Sequence, residues 1–234
     1  MGLNLGNTNI GEIYLGSNKI SEVYLGSSLV YQLSGPTPPE PGTADIGGRT
    51  YRTVTINRVT WLAENLDFKF SGCKIGKSGS SNTEPRANYY NNDESTYGIN
   101  GNKYGLLYNW PAVKYLNDNR ATLIPGWHVP TTDEWDALAN AVGGTSVAGT
   151  KLKSTTGWSS GNGTDDFGFA AFPAGCRYAN GSFSYLGSFA DFWTATQYSS
   201  NYAYFRYFGT NDSMYSSDTY KTVSHSVRLV KDAT

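Results

Sequence analysis

Few side chains in this 234-residue chain carry the chemistry that catalysis or metal binding needs, and they are scattered. His128 sits in Gly-Trp-His-Val-Pro, residues Gly126–Pro130. A metal site needs several converging ligands. No second histidine, cysteine pair or carboxylate cluster stands at ligand spacing from it. The pattern therefore fits a hydrogen-bonded structural imidazole beside Trp127. The other histidine, His225, lies in a Ser-rich stretch without a neighbouring nucleophile or carboxylate. Asp165–Asp166 supply oxygens that can take calcium, but a turn in which Asp side chains accept backbone N–H bonds uses the same residues. Cys73 and Cys176 fit two lone buried thiols, with pairing as the alternative. There is no Gly-x-Ser-x-Gly elbow, P-loop or dinucleotide fingerprint. No catalytic set assembles, and no metal or cofactor is expected.

Recognition is the other chemistry on offer. The stretch Gln197–Tyr220 holds six tyrosines and two phenylalanines among serines, asparagines and aspartates, with no leucine, isoleucine or valine. Tyr gives large contact area, a hydroxyl and only two side-chain torsions to freeze, while Ser, Asn and Asp give adaptable polar contacts. That is the composition of a binding surface, where Tyr is enriched among the energetic anchors. A fold tolerates it only if these side chains point outward from a frame set by others, here Trp193, Val227 and Leu229. The alternative is a Tyr-rich edge of an ordinary β domain, with rings pairing across strands.

The positioning elements are legible in outline. Hydrophobic residues make up 38%, so Tyr, Trp and Phe must supply much of the core. Formal net charge is −1 without blocks of one sign, which gives no footprint for nucleic acid or an anionic membrane. No apolar run reaches the length of a membrane span, so no membrane insertion is expected. No secretory leader is expected at the N-terminus either. Ile10–Lys19 and Ile20–Leu29 are consecutive copies of one decapeptide, and Leu3–Asn9 is a degenerate third. Each reads as a short strand and a Gly turn. Too few to bury a core, these strands (residues 1–33) are expected to dock on a partner, on copies of themselves or on the main domain. Residues 34–43 read as a Pro-rich linker, leaving 44–234 as the main domain.

Within that domain, Arg49–Leu66 reads as a hairpin about Asn57-Arg58. Ser71–Asn102 reads as loop. Thr131–Gly144 predicts a helix: Thr131 and Glu134 form a capping box, Trp135, Leu138, Ala139 and Val142 make one apolar face, and Gly143 ends it. A second helix is expected from Asn109 through Leu116, with Pro111 in its first turn. The last strand is expected at Ser226–Lys231. Two helices among antiparallel strands and long loops make an α+β domain.

Seven segments occur in an order that resembles the Fibrobacter major paralogous domain family. They are Asp45–Leu66, Tyr104–Trp110, Pro125–Leu138, Ala148–Trp158, Gly163–Arg177, Phe192–Thr196 and Ser226–Asp232. The resemblance implies a C-type-lectin-like fold and kinship with formylglycine-generating enzymes. It also implies a variable protein of a diversity-generating retroelement, in phages and bacteria of the gut. The late cysteine pair of those enzymes has no counterpart after Tyr178, and the lectin calcium motifs are missing or interrupted. In retroelement variable proteins, randomised adenines in Asn codons yield Tyr, Ser, Asn, Asp, Thr, Phe, His, Gly and Ala, among others. Between Tyr198 and His225 only Met214 and Lys221 fall outside the accessible set. The fixed frame expected around them is Phe192, Trp193, Ala203, Arg206, Ser213, Val223, Val227 and Arg228.

The expected binding residues are Tyr198, Asn201, Tyr202, Tyr204, Phe205, Tyr207, Asn211, Asp212, Tyr215, Asp218, Tyr220 and His225. The expected partner is a protein or glycan on a cell surface, with the chain on a phage tail or bacterial surface, attached or self-associated through its N-terminal repeats. The alternatives are a modifying enzyme related to the formylglycine generators and a structural fibre protein.

Overall fold

The computed structural model describes four short strands between Ile13 and Gln32, and residues 39–76, 80–97 and 104–233. The chain divides into two compact units, Met1–Thr37 and Pro38–Thr234.

In the first unit, β1 (Ile13–Leu15) pairs with β2 (Asn18–Ile20), and β3 (Glu22–Leu25) with β4 (Ser28–Gln32), all antiparallel. Each decapeptide thus contributes an Ile/Val-Tyr-Leu strand, and the residues after its turn form a returning strand. Two residues separate the paired Leu15 and Asn18, a loop length that selects hairpins. The degenerate copy Leu3–Asn9 lies outside the described residues.

The second unit begins with β5 (Glu40–Ile46), β6 (Arg49–Ile56) and β7 (Val59–Leu62), an antiparallel meander. Asn57 and Arg58 take φ of 49° and 68°, the left-handed pair a two-residue hairpin turn requires. Strand β5 starts inside the stretch read as linker, with Pro41 opposite Val54. It is the edge strand of its sheet, where proline's missing donor is tolerated. The described parts of Ser71–Asn102 are more than loop: β8 (Lys74–Ile75) pairs in parallel with β9 (Arg86–Asn88), and α1 (Glu94–Tyr97) follows.

Strand β10 (Leu107–Asn109) leads directly into α2 (Trp110–Asp118). Asn109 Oδ1 caps this helix by accepting from Ala112 N at 3.1 Å, and Pro111 stands in its first turn, as the sequence implies. After α3 (Arg120–Leu123) and β11 (Trp127–His128) comes α4 (Thr132–Ala141). Its capping box is complete: Glu134 N donates to Thr131 Oγ1 at 3.3 Å and Thr131 N to Glu134 Oε2 at 2.8 Å. Trp135, Leu138, Ala139 and Val142 are its buried face. A further helix, α5 (Thr145–Leu152), follows Gly143-Gly144. Gly149 on it lies so close to the Asp212 backbone that a Cβ there would stand 2.6 Å away.

Short strands β12 (Cys176–Arg177) and β13 (Phe183–Ser184) precede three longer ones: β14 (Ala190–Gln197), β15 (Tyr202–Phe208) and β16 (Met214–Tyr220). Strands β17 (Ser224–His225) and β18 (Val230–Lys231) end the unit. The sheet orders are β11-β18-β7-β6-β5, β13-β12-β17-β10-β9-β8 and β14-β15-β16. The unit is therefore mixed α+β. The strand expected over Ser226–Lys231 is shorter than its apolar pattern because the segment bridges sheets. Ser226 exchanges backbone bonds with β14, while Val227 and Leu229 accept from Leu66 and Leu62.

Rings fill the core where aliphatic residues are scarce. Trp61, Trp135, Trp193, Tyr51, Tyr108, Phe169, Phe192 and Phe208 are among the largest fully buried side chains. Trp61 and Trp135 meet at 5.1 Å between ring centres, and Trp135 and Phe192 at 5.3 Å, in tilted contacts. Arg228 is buried among them and donates to the carbonyls of Leu62, Phe169 and Ala170 and to Asn65 Oδ1. Burial pulls its pKa down to about 9.

Candidate recognition surface

The three-stranded sheet carries most of the residues singled out above. Its register puts Tyr202 opposite Tyr220, Tyr204 opposite Asp218, Phe205 opposite Ser217 and Tyr207 opposite Tyr215. Successive side chains of a strand point to opposite faces, so the candidates split into two patches. On one face Tyr202 and Tyr220 meet at 4.4 Å and Tyr198 and Tyr204 at 5.2 Å, beside Asp218. On the other, Tyr207 and Tyr215 stack at 5.1 Å, with Phe205 5.7 Å from Tyr207.

The frame beneath is well anchored. Phe192, Trp193, Ala203, Arg206, Val223, Val227 and Arg228 are all buried, whereas Ser213 is half-buried. Arg206 reaches from β15 to α4, donating to Asp136 Oδ1 at 2.8 and 3.2 Å and to the Thr132 carbonyl, and bonds across the sheet to Ser216 Oγ. Trp193 Nε1 donates to the Tyr108 carbonyl at 2.7 Å.

Two lysines pin the turns. Lys221 Nζ donates to Gln197 Oε1 and to the carbonyls of Ser199 and Ser200, 4.6 Å from the Trp110 ring centre. Lys153 Nζ likewise holds the carbonyls of Gly161, Gly209 and Asn211. Burial lowers the pKa of both. The turn residues are tethered by their side chains as well, two of them from outside the sheet. Asn201 Oδ1 accepts from Asn82, Asp212 Oδ1 accepts from Thr150 Oγ1, and Asn211 Nδ2 donates to the Tyr215 hydroxyl.

His225 is not on the outward surface: it is 3% exposed. It lies in β17 opposite Tyr108, stacked on Phe205 at 4.7 Å and edge-on to Trp193 at 4.6 Å. Its Nδ1 stands 3.4 Å from Asp191 Oδ2, and neither ring nitrogen makes a hydrogen bond. The imidazole forms part of the floor of a pit of about 280 Å³ on the Tyr207 face, walled in part by Tyr178, Tyr185 and Phe189. These wall residues and Asp191 were missed because they precede the Tyr-rich stretch. The density of rings from Tyr178 through Phe192 was the available signal.

The remaining candidates resolve simply. His128 Nδ1 lies 2.6 Å from Asp232 Oδ1 and Nε2 2.7 Å from Glu134 Oε1. The bond to Glu134 and then that to Asp232 raise its pKa against the opposing effect of burial. Asp165 takes a left-handed φ of 51° and accepts from Ala170 N at 2.7 Å, the geometry of a turn. Cys73 and Cys176 are free, and burial pushes both thiols up to about 12. Among the described residues no group of three or more His, Cys, Asp or Glu is placed to hold a metal ion. Nor, among them, is any helix long and apolar enough to cross a membrane.

Among known families, the one described as the Fibrobacter succinogenes major domain matches residues 54–231. No curated protein and no solved structure matches the chain.

Proposed function

We propose that this chain, which belongs to the Fibrobacter succinogenes major domain family, is a non-enzymatic ligand-binding protein that recognises its partner through the sheet β14-β15-β16 and its turns. One observation carries this reading. None of the six tyrosines from Tyr198 to Tyr220 is buried, while Ala203, Arg206, Phe208 and Met214 between them are. Tyrosines elsewhere in the same unit, such as Tyr51 and Tyr108, are core. The tyrosines of this stretch are thus left at the surface, where they can serve contact.

The finer reading is a C-type-lectin-like scaffold whose outward residues are varied by a diversity-generating retroelement. The chain would be displayed on a phage tail or bacterial surface against a protein or glycan of another cell. Its support is that Met214 and Lys221, the two residues outside the accessible set, are 3% and 5% exposed, as fixed positions in a varied stretch need to be. Mismatches confined to adenines between the coding sequence and a template repeat would establish the diversification.

The binding surface itself is tested by a library. Tyr198, Tyr202, Tyr204, Tyr215, Asp218 and Tyr220 are varied over Tyr, Ser, Asn, Asp and Ala, and folding is read by protease resistance. Most members are expected to stay folded, since the exposed Tyr198, Tyr215, Asp218 and Tyr220 contribute within about 0.5 kcal/mol each and the half-buried Tyr202 and Tyr204 about 1 kcal/mol each. The same scheme at Phe192, Trp193 and Phe208 should abolish folding, at about 3–5 kcal/mol per truncated ring. Selection of the first library on a cell-surface protein or glycan should yield binders. Widespread unfolding of that library would overturn the assignment.

A further inference from the structure

The pit on the Tyr207 face combines ring walls with one carboxylate, that of Asp191. Asp191 is 6% exposed. The His225 imidazole stands 3.4 Å from it without hydrogen-bond geometry, and the Asp191 charge also acts on the Cys176 thiol and the Tyr178 and Tyr207 hydroxyls. No lysine or arginine lines the pit among those residues. A carboxylate withdrawn from water is costly unless a cation or several donors compensate it. The walls form a continuous ring contact: Tyr185 to Phe189 at 5.1 Å, Phe189 to Tyr207 at 5.9 Å, and Tyr207 to Phe205 at 5.7 Å. Aromatic faces attract a cation held within roughly 6 Å of their centres. A volume of about 280 Å³ lies at the small end of ligand pockets, so the pit suits a head group.

We propose that this pit binds the methylated ammonium group of a small organic cation, with Asp191 as counter-charge and the rings of Tyr185, Phe189, Phe205 and Tyr207 around it. The proposal rests on the sheet being a recognition surface, and it names the chemistry that one part of it takes. An anion meets Asp191 with like charge. A neutral ligand of the same shape fills the rings but leaves the carboxylate uncompensated.

Choline and its uncharged isostere 3,3-dimethylbutan-1-ol, titrated calorimetrically into the full chain, separate these cases. Choline is expected to bind at least about tenfold more tightly, the equivalent of about 1.4 kcal/mol. Asp191→Asn, close in shape, should remove that preference. Tyr185→Ala, at a side chain 49% exposed and thus safe for folding, should weaken choline without erasing the preference. Equal affinities, no choline binding at millimolar concentration, or an unchanged preference in Asp191→Asn would each overturn the cation proposal. None of these outcomes touches the wider recognition surface, which stands or falls on the library.

Discussion

His128 shows what a single side chain contributes here. Hydrogen bonds to Glu134 and Asp232 favour its protonated form, so its pKa in the folded chain lies above the ordinary value. Such a group stabilises fully below about pH 6.5, its unfolded value, and the contribution disappears as pH rises through the folded pKa. Glu134 acts in a separate window. Burial raises its pKa, but the bond from His128 and the Thr131 backbone outweigh this and leave it lowered. Its contribution is present above its unfolded value and lost as pH falls through the folded one. Thermal melting should therefore show higher stability at pH 5.5 than at pH 8, by about 1 kcal/mol for a charge-assisted bond that is partly exposed. His128→Gln should flatten that slope; a slope unchanged by the substitution would assign the pH dependence elsewhere. The sequence placed this imidazole correctly as a bonded structural residue beside Trp127. It did not reveal Asp232, because the two are brought together by the β11–β18 pairing.

Elements were legible where local chemistry decides them. The Thr131/Glu134 box, Asn109 with Pro111, and Asn57-Arg58 are local signals, and α4, α2 and the β6–β7 hairpin follow from them. Helix α5 gives no such signal. Its Thr-Ser-Val-Ala-Gly run has low helix propensity and is held by packing, with Gly149 against the Asp212 backbone. The two-residue strands β12 and β13 pair with each other in a local hairpin around Asn180-Gly181, whereas β17 depends wholly on tertiary pairing. Parity is the subtler loss. Reading Tyr198–His225 as one face ignored the alternation that sends Tyr204 and Tyr207 to opposite sides, and it put the buried His225 outside. The proposed variation of the tips raises a question of mechanics, since varied tips must keep their backbone path. Lys221 supplies a means that does not depend on the tips' side chains, because two of its three acceptors are main-chain carbonyls. Lys221→Met keeps the apolar stem over Trp110 but strips those bonds. It should cost about 2 kcal/mol and speed amide exchange at Tyr198 and Ser199, which donate to the Tyr202 carbonyl. Exchange and melting both unchanged would mean the turn holds its shape without the lysine.

The whole molecule joins a unit that can sustain itself to one that cannot. Pro38–Thr234 has aromatic cores, interlocked sheets and a bridging C-terminal segment. Met1–Thr37 has hairpin strands of three to five residues and no cysteine. Below about 40 residues, a unit needs disulfides, metals or association to be stable, and an isolated two-stranded hairpin is marginal in water. We propose that self-association through the decapeptide repeats supplies the missing burial; it would also present several copies of the proposed recognition sheet together, raising avidity without a new contact. Light scattering on the full chain should accordingly give a multiple of the single-chain mass, and a chain beginning at Pro38 should give the single mass. The shortened chain should melt within a few degrees of the full one, because its core lies after the cut. A single mass for both would remove self-association as the role of the repeats and leave attachment to a different partner. Multiple mass retained after the cut would put the association in the larger unit, against the argument from size.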